Sequence, residues 1–257
     1  MKIKFQETEI HYSIVGEGET TVLLHGFLES SEIWEDFLPG FSKYGRIICI
    51  DLPGHGKSGV ISEVHSMELM AEAVYAVLQA TGVKKGNIIG HSMGGYVALA
   101  FLEQHPEMVQ DLMLLNSTPQ ADSEEKKEIR DRSVELVQRN KKAYITMAIN
   151  NLLSPRNTAS FSEEIDELKD KAMGFPTEGI TAALKGMKIR SEKIEVLKNY
   201  SGQKIIVAGS EDPLVNISEL RNLAEGCGCK FFQFSGGHLS YIENREQFRK
   251  LCISSKN

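Results

Sequence analysis

No stretch of this 257-residue sequence is apolar for long enough to cross a bilayer, which takes about 20 consecutive apolar residues as a helix. The opening, MKIKFQETEIHYSIVGEG, alternates polar and apolar residues like a strand and lacks the apolar block and small-residue cleavage site of a secretory signal. Basic charge is not in excess. Lys and Arg number 29 against 35 Asp and Glu, a formal net charge of -6. That leaves no electrostatic footprint for nucleic acid, and no Lys/Arg-rich amphipathic face suits an anionic membrane. Cysteine is scarce too, at four residues. Cys49 lies in an apolar run and reads as core. Cys227 and Cys229 form a lone C-x-C with no matching His/Cys pair nearby, which argues against zinc. The expectation is a reduced, cytoplasmic setting. Internal repeats and low-complexity linkers are absent as well.

Hydrophobic residues make up 41% of the chain, enough for one large α/β domain or two small ones. Six short apolar runs stand out: TVLL from Thr21, IICI from Ile47, NIIG from Asn87, LMLL from Leu112, KIIVAG from Lys204 and KFFQF from Lys230. Most are continuous rather than alternating, the pattern of strands covered on both faces of a parallel sheet. Helical spacing separates most of them. MELMAEAVYAVLQATG ends on a glycine stop, and YVALAFLEQHP ends before Pro106. Ser240 and Glu243 have the spacing of a capping box at the head of a last helix. The alternation predicts an α/β fold with a mostly parallel, doubly wound sheet, and an antiparallel edge from the two N-terminal strands.

That rhythm stops between residues 117 and 190, where only helix signals occur. We expect a core domain from residues 1–116 and 191–257, with 117–190 a helical cap or lid. The charged segment SEEKKEIRDRSVELVQRNKKA would put Ile129, Val134, Leu136 and Val137 on one face. Met147, Leu152, Leu153, Phe161, Met173, Phe175 and Met187 are either the core of that insert or its lining over a site.

GHSMG, from Gly90 to Gly94, matches G-x-S-x-G between a strand pattern and a helix pattern. A sharp strand-to-helix turn there forces Ser92 into a strained backbone, and glycines two positions away avoid collision. The hydroxyl is lifted clear of the sheet at a helix N-terminus, which favours developing negative charge. Serine needs a base, and the base an orienting acid. In an open α/β sheet both must come from loops at the carboxyl ends of strands. SEDPLV, after KIIVAG, offers Asp212; SGGHLSY, after KFFQF, offers His238. Ser92, Asp212 and His238 then follow one another in the order of α/β-hydrolase triads. The backbone N–H of Met93 and that of Phe27, in LLHGF beside Gly26, are the expected oxyanion donors.

Competing residues have plainer readings. His11 and His105 read as surface or capping residues, and His65 as exposed in a polar loop. His25 and His55 lie in loops after strands, near the site, but neither follows an acid-bearing loop, and His91 should face away from the nucleophile. Glu211 and Asp51 compete with Asp212, but Asp51 is placed to hold the loop DLPGHGKS together. GHGKSG, from Gly54, fits G-x-G-x-x-G on paper. Pro53 precedes it and no helix opens after it, so it reads as an irregular loop rather than a dinucleotide site.

HGF, DLPGHGKS, GHSMGG, GSED and GGH occur in this order over nearly the whole chain, and in this the sequence resembles the α/β-hydrolase-fold serine hydrolases. The resemblance implies a carboxylesterase-like enzyme: Ser92 as nucleophile, His238 as base, Asp212 as acid, Phe27 and Met93 as oxyanion donors, no cofactor and no metal, and a small-molecule ester as substrate. Ser92 separates the chain from relatives with an aspartate nucleophile. HGFLESSEIWEDF resembles the menaquinone-pathway lyase that eliminates pyruvate, although that family carries an arginine where Tyr96 stands. An Arg-rich insert interior would favour the lyase, but Arg130, Arg132, Arg139, Arg156 and Arg190 are mostly expected to face solvent. A ligand-binding receptor that keeps its triad is the third use of the same residues.

Overall fold

TVLL, IICI and LMLL have no polar face, so each needs cover on both sides. In the computed structural model of the protein, which describes residues 1–254, they have it. β1 (Lys2–Phe5) and β2 (Thr8–Val15) form an antiparallel hairpin, and β2 pairs antiparallel with β4 (Arg46–Ile50). β3 (Thr20–Leu24), β4, β5 (Gly86–His91), β6 (Val109–Leu115), β7 (Gln203–Gly209) and β8 (Lys230–Phe234) run parallel. The eight strands lie in the order β1-β2-β4-β3-β5-β6-β7-β8. All five residues of β3 are buried. Successive side chains point to opposite faces, so both faces of the sheet are covered there. This is the α/β architecture that the alternation of runs predicts.

After β3 come a 3-10 turn (Ser31–Phe37) and α1 (Leu38–Phe41). α2 (Met67–Ala80) packs beside α3 (Met93–Gln104), the helix that leaves β5. Ser66 caps α2 by accepting from the Leu69 N–H. Between β6 and β7 stand α4 (Glu124–Asn150), α5 (Ser162–Met173), α6 (Thr177–Ile189) and α7 (Ile194–Asn199). The charged stretch SEEKKEIRDRSVELVQRNKKA and the residues that follow it form one helical run, α4, broken at Asn140 (φ -155°, ψ 80°). Asn140 Oδ1 accepts from the Ala143 N–H at 3.0 Å, so it caps the second half of the helix it interrupts.

The insert has its own apolar contacts. Val137 and Ile145 of α4, Ile165 of α5 and Leu184 of α6 are buried. Leu153, Phe175 and Met187 belong to that interior, whereas Met147 is 48% exposed and Ile129 46%. Ile129 therefore does not share the burial of Val137.

α8 (Ile217–Gly226) follows β7. After β8, the chain forms α9 (Ser240–Glu243) and α10 (Arg245–Ser254). The capping box expected there does not form. Leu239 holds the N-cap position, and Ser240 Oγ is buried without a hydrogen-bond partner. Glu243 instead accepts from the Gly237 N–H at 2.7 Å and from Asn157 Nδ2 at 2.6 Å. A carboxylate that finds a backbone N–H and an insert side chain has no reason to turn back to its own helix.

Candidate active site

Ser92 sits between β5 and α3 with φ 49° and ψ -115°, a conformation that costs a non-glycine residue roughly 1–3 kcal/mol. Its neighbours hold it there. The Ser92 N–H donates to Leu115 O at 2.9 Å, and Ser117 Oγ donates to Ser92 O at 2.8 Å. A Cβ on Gly90 would stand 2.4 Å from Gly94 O, and one on Gly94 would stand 2.5 Å from Leu24 O. Only glycine lets β5, α3 and β3 approach this closely.

Asp212 and His238 come from the loops after β7 and β8, and the structure brings both to Ser92. His238 Nε2 lies 2.8 Å from Ser92 Oγ. His238 Nδ1 lies 2.8 Å from Asp212 Oδ2 and 3.0 Å from Oδ1. With Nδ1 donating to the carboxylate, Nε2 is free to accept from the serine hydroxyl. Burial alone would raise the Asp212 pKa. Attraction to His238, with hydrogen bonds from His238, Asn116 and the Leu214 N–H, outweighs it and holds the carboxyl below its usual value. Asn116, which sequence reasoning passed over, donates from Nδ2 to Asp212 at 2.9 Å and to Gly237 O at 3.2 Å. Its only signal was an amide-bearing residue at the end of LMLL.

Phe27 lines the cavity beside Ser92. Met93 is the first residue of α3, where the leading N–H groups of a helix have no internal acceptor. Among the described residues, neither the Phe27 nor the Met93 N–H donates to another protein group outside its own element. The loop before Phe27 is pinned at two points. The Gly26 N–H donates to Glu29 Oε2 at 2.6 Å, and His25 Nδ1 donates to Gly26 O at 2.7 Å. His25 Nε2 then accepts from the Leu52 N–H at 2.9 Å.

His91 makes its contacts with groups other than the Ser92 hydroxyl. It is buried, its ring centroid 5.2 Å from that of His238. Nδ1 meets Glu29 Oε2 at 2.9 Å and Nε2 meets His238 O at 3.0 Å. Tyr241 donates to Glu29 Oε1 at 3.0 Å. Burial opposes charge on both members of the Glu29–His91 pair. Their mutual attraction wins, lowering the Glu29 pKa and raising that of His91. One buried ion pair thus ties together the Gly26 loop, the residue before Ser92 and the backbone of His238.

The remaining candidates sort by contact. Asp51 accepts from the Ser31 and Lys57 N–H groups at 2.8 and 2.9 Å and meets His11 at 3.1 Å, which holds its loop. Glu211 accepts from Ser154 Oγ at 2.7 Å and pairs with Arg156. His105 stacks on Tyr75 and bonds Glu72. His65 is wholly buried, not exposed: its Nδ1 donates to Pro53 O at 3.1 Å and its Nε2 accepts from the Ile61 N–H at 3.1 Å. The polar residues around it hid a histidine that organises the loop from within. Burial pushes its pKa down to about 4, and that of His55 to about 3.

Above Ser92 and His238 lies a cavity of about 360 Å³, walled on the insert side by Arg130, Tyr144, Met147 and Met187. The insert also grips His238, whose backbone N–H donates to Leu152 O at 2.7 Å. Arg132, Arg139 and Arg156 face solvent as expected, but Arg190 is buried and Arg130 largely so. Both pair with Asp122, which is itself buried, and a buried carboxylate needs such partners. Among the described residues no group of three or more His, Cys, Asp or Glu is placed to hold a metal, and no helix is long and apolar enough to cross a membrane.

A serine at a strained strand-to-helix turn, over the carboxyl ends of a mostly parallel sheet, defines a class. Residues 21–245 match the description of the alpha/beta hydrolase fold. The chain belongs to that family. It is 28% identical to a thermophilic esterase from Thermogutta terrifontis, solved with malate bound, over 99% of this chain and 96% of that one, with a TM-score of 0.93. It is 26% identical to a putative carbamate hydrolase, RutD, of Yersinia enterocolitica, over 95% of this chain and 91% of the relative. It is 36% identical over 115 residues to a 2-hydroxy-6-oxononadienedioate/2-hydroxy-6-oxononatrienedioate hydrolase of Paraburkholderia phymatum, a match that takes in 42% of this chain and spans only 40% of that relative.

Proposed function

We propose that the protein is a serine hydrolase that cleaves a small to medium carboxylic ester through an acyl-enzyme. Residues 1–116 and 191–257 carry the chemistry, and 117–190 form the cap that bounds the substrate. Ser92 Oγ attacks the ester carbonyl while His238 Nε2 takes its proton. Asp212 holds the other ring nitrogen and stabilises the imidazolium that forms. The Met93 and Phe27 N–H groups take the oxyanion. His238 returns the proton to the leaving alcohol, and water, deprotonated by the same nitrogen, then releases the acid. The observation that carries the reading is the unbroken chain Ser92 Oγ, His238 Nε2, His238 Nδ1 and Asp212, with contacts of 2.8 Å at each link, opening into the cavity. The whole-length similarity to an esterase supports it.

The test is hydrolysis of short p-nitrophenyl esters by wild type and Ser92→Ala. Wild type turns over and the variant, folded by circular dichroism, does not. Equal turnover by the two proteins refutes the assignment. A fluorophosphonate probe should label wild type at Ser92.

One observation favours the pyruvate-eliminating lyase as a second reading: Arg130 and Arg190 turn inward rather than to solvent. In that case Ser92 and His238 serve proton abstraction. Pyruvate would be released from the cyclohexene substrate, and no acyl-enzyme could be trapped.

A further inference from the structure

We propose that the insert-side wall of the cavity is an anion subsite, built on Arg130 with Lys126, which selects half-esters of dicarboxylic acids. The proposal rests on the ester-hydrolase reading and names the substrate class for that site. Two carboxylates line the cavity, and both are already committed. Glu29 is paired with His91 and accepts from Tyr241. Asp122 lies between Arg190 Nη1 at 2.7 Å and Arg130 Nε at 3.1 Å.

The two arginines differ in what they have left to give. Arg190 is held at two nitrogens and one face, away from the cavity lining: Nη1 also donates to Met187 O at 2.9 Å, Nε donates to Gln120 O at 3.2 Å, and the guanidinium carbon lies 4.0 Å over the Tyr96 ring. Arg130 is held through Nε alone. Among the described residues its two terminal NH2 groups donate to no protein acceptor, although the side chain is only 23% exposed. A guanidinium anchored at Nε presents its outer edge in a fixed orientation, the edge that takes a carboxylate in two parallel hydrogen bonds.

Lys126 lies one turn earlier on α4, lines the same cavity and is steadied by its bond to Leu214 O at 3.2 Å. Lys126 and Arg130 thus bring two cations to this wall of the cavity, and the one carboxylate there, Asp122, is shared with Arg190 from outside the lining, so the wall carries net positive charge. A cavity with such a wall concentrates anions. The same cavity is lined by the apolar side chains of Met147, Leu152 and Met187. A methylene spacer with an ester at one end and a carboxylate at the other matches a site with a nucleophile, an apolar lining and a cationic wall.

Monomethyl adipate, dimethyl adipate and methyl hexanoate are the probes, with kcat/KM measured for wild type, Arg130→Gln, Arg130→Lys and Arg139→Gln. Wild type should favour the half-ester over its neutral analogues by about tenfold or more, the scale of a charge-assisted bidentate contact. Arg130→Gln should erase that preference, mainly through KM. Arg130→Lys should keep part of it, and Arg139→Gln, exposed on the same helix, should leave it unchanged. Asp122 keeps Arg190 as a partner in these variants, so the fold is not left with an unpaired carboxylate. In parallel, calorimetry measures adipate binding to Ser92→Ala with and without Arg130→Gln, and the second change should weaken it about tenfold or more. Cleavage of all three esters without preference overturns the subsite and leaves the hydrolase standing. A preference that survives Arg130→Gln also overturns it. Arg130-dependent adipate binding by a protein that cleaves none of the esters supports the subsite and removes the hydrolase reading.

Discussion

On the sheet side of the cavity, polar groups rest on other buried polar groups. Asp212 is held by Asn116 and Leu214, His91 by Glu29, and Glu29 by Tyr241 and Gly26. On the insert side, Ile129 and Met147 line the cavity while about half exposed, and Arg130 spends one nitrogen of three on the protein. Atoms that must keep sub-ångström relations need a wall that cannot relax, and buried hydrogen-bonded charges provide it. A wall that only chooses among substrates can leave donors and apolar surface unfilled. On the proposed function, shape, charge and chemistry are thereby separated onto different elements of one fold.

The sharpest way to break that contrast is to change a sheet-side group without changing its shape. Asp212→Asn should lower kcat on p-nitrophenyl esters by roughly 10⁴-fold, because the amide favours the wrong His238 tautomer. A loss of less than about tenfold would mean that the acid is not what orients the base. Next in size is Glu29→Ala, which leaves the buried His91 without its counter-charge. Urea unfolding should show a loss of about 3–5 kcal/mol, the scale for breaking a buried pair from one side. Glu29→Gln, which keeps the hydrogen-bond acceptor, should lose less.

The buried histidines give a smaller effect that varies with pH. His55 and His65 titrate near 6.5 when unfolded but are held down to about 3 and about 4 when folded. Between those values the unfolded state binds more protons, so stability is full above 6.5 and falls as the pH drops toward 4. Each contributes a slope of about 1.4 kcal/mol per pH unit. His65→Gln should flatten the curve by one such share, measured as urea midpoints between pH 7 and 5. The smallest effect belongs to the insert. Met147→Ala should change stability by no more than about 0.5 kcal/mol while shifting KM across a series of acyl-chain lengths, since a methylene in an apolar pocket is worth about 1–3 kcal/mol. A stability loss like that of a core residue would place Met147 on the sheet side of the comparison.

Much of this was legible in the residues. Continuous apolar runs reported strands covered on both faces, and G-x-S-x-G between a strand and a helix marked the turn at Ser92. The order of Asp212 and His238 after later strands pointed to the groups that now lie against it. Other features were hidden because their cause is long-range. Nothing near His65 in sequence announces burial, since its partners include Pro53, twelve positions away. The Ser240 and Glu243 spacing was a sound local signal, overridden when Gly237 and Asn157 offered Glu243 better partners. Arg130 and Arg190 read as solvent-facing because most arginines are, until Asp122 drew both inward.

What the sequence determined by itself is whatever depends on local sterics and periodicity: which runs become strands, where glycine permits a tight turn, and which hydroxyl that turn exposes. What only the tertiary structure decided is which charges meet. Glu29 lies 62 positions from His91, and Asp122 lies 68 from Arg190, so their pairing depends on which loops the folded sheet and insert bring together. Burial sets the worth of such a pair, and burial is a property of the assembled fold rather than of any segment.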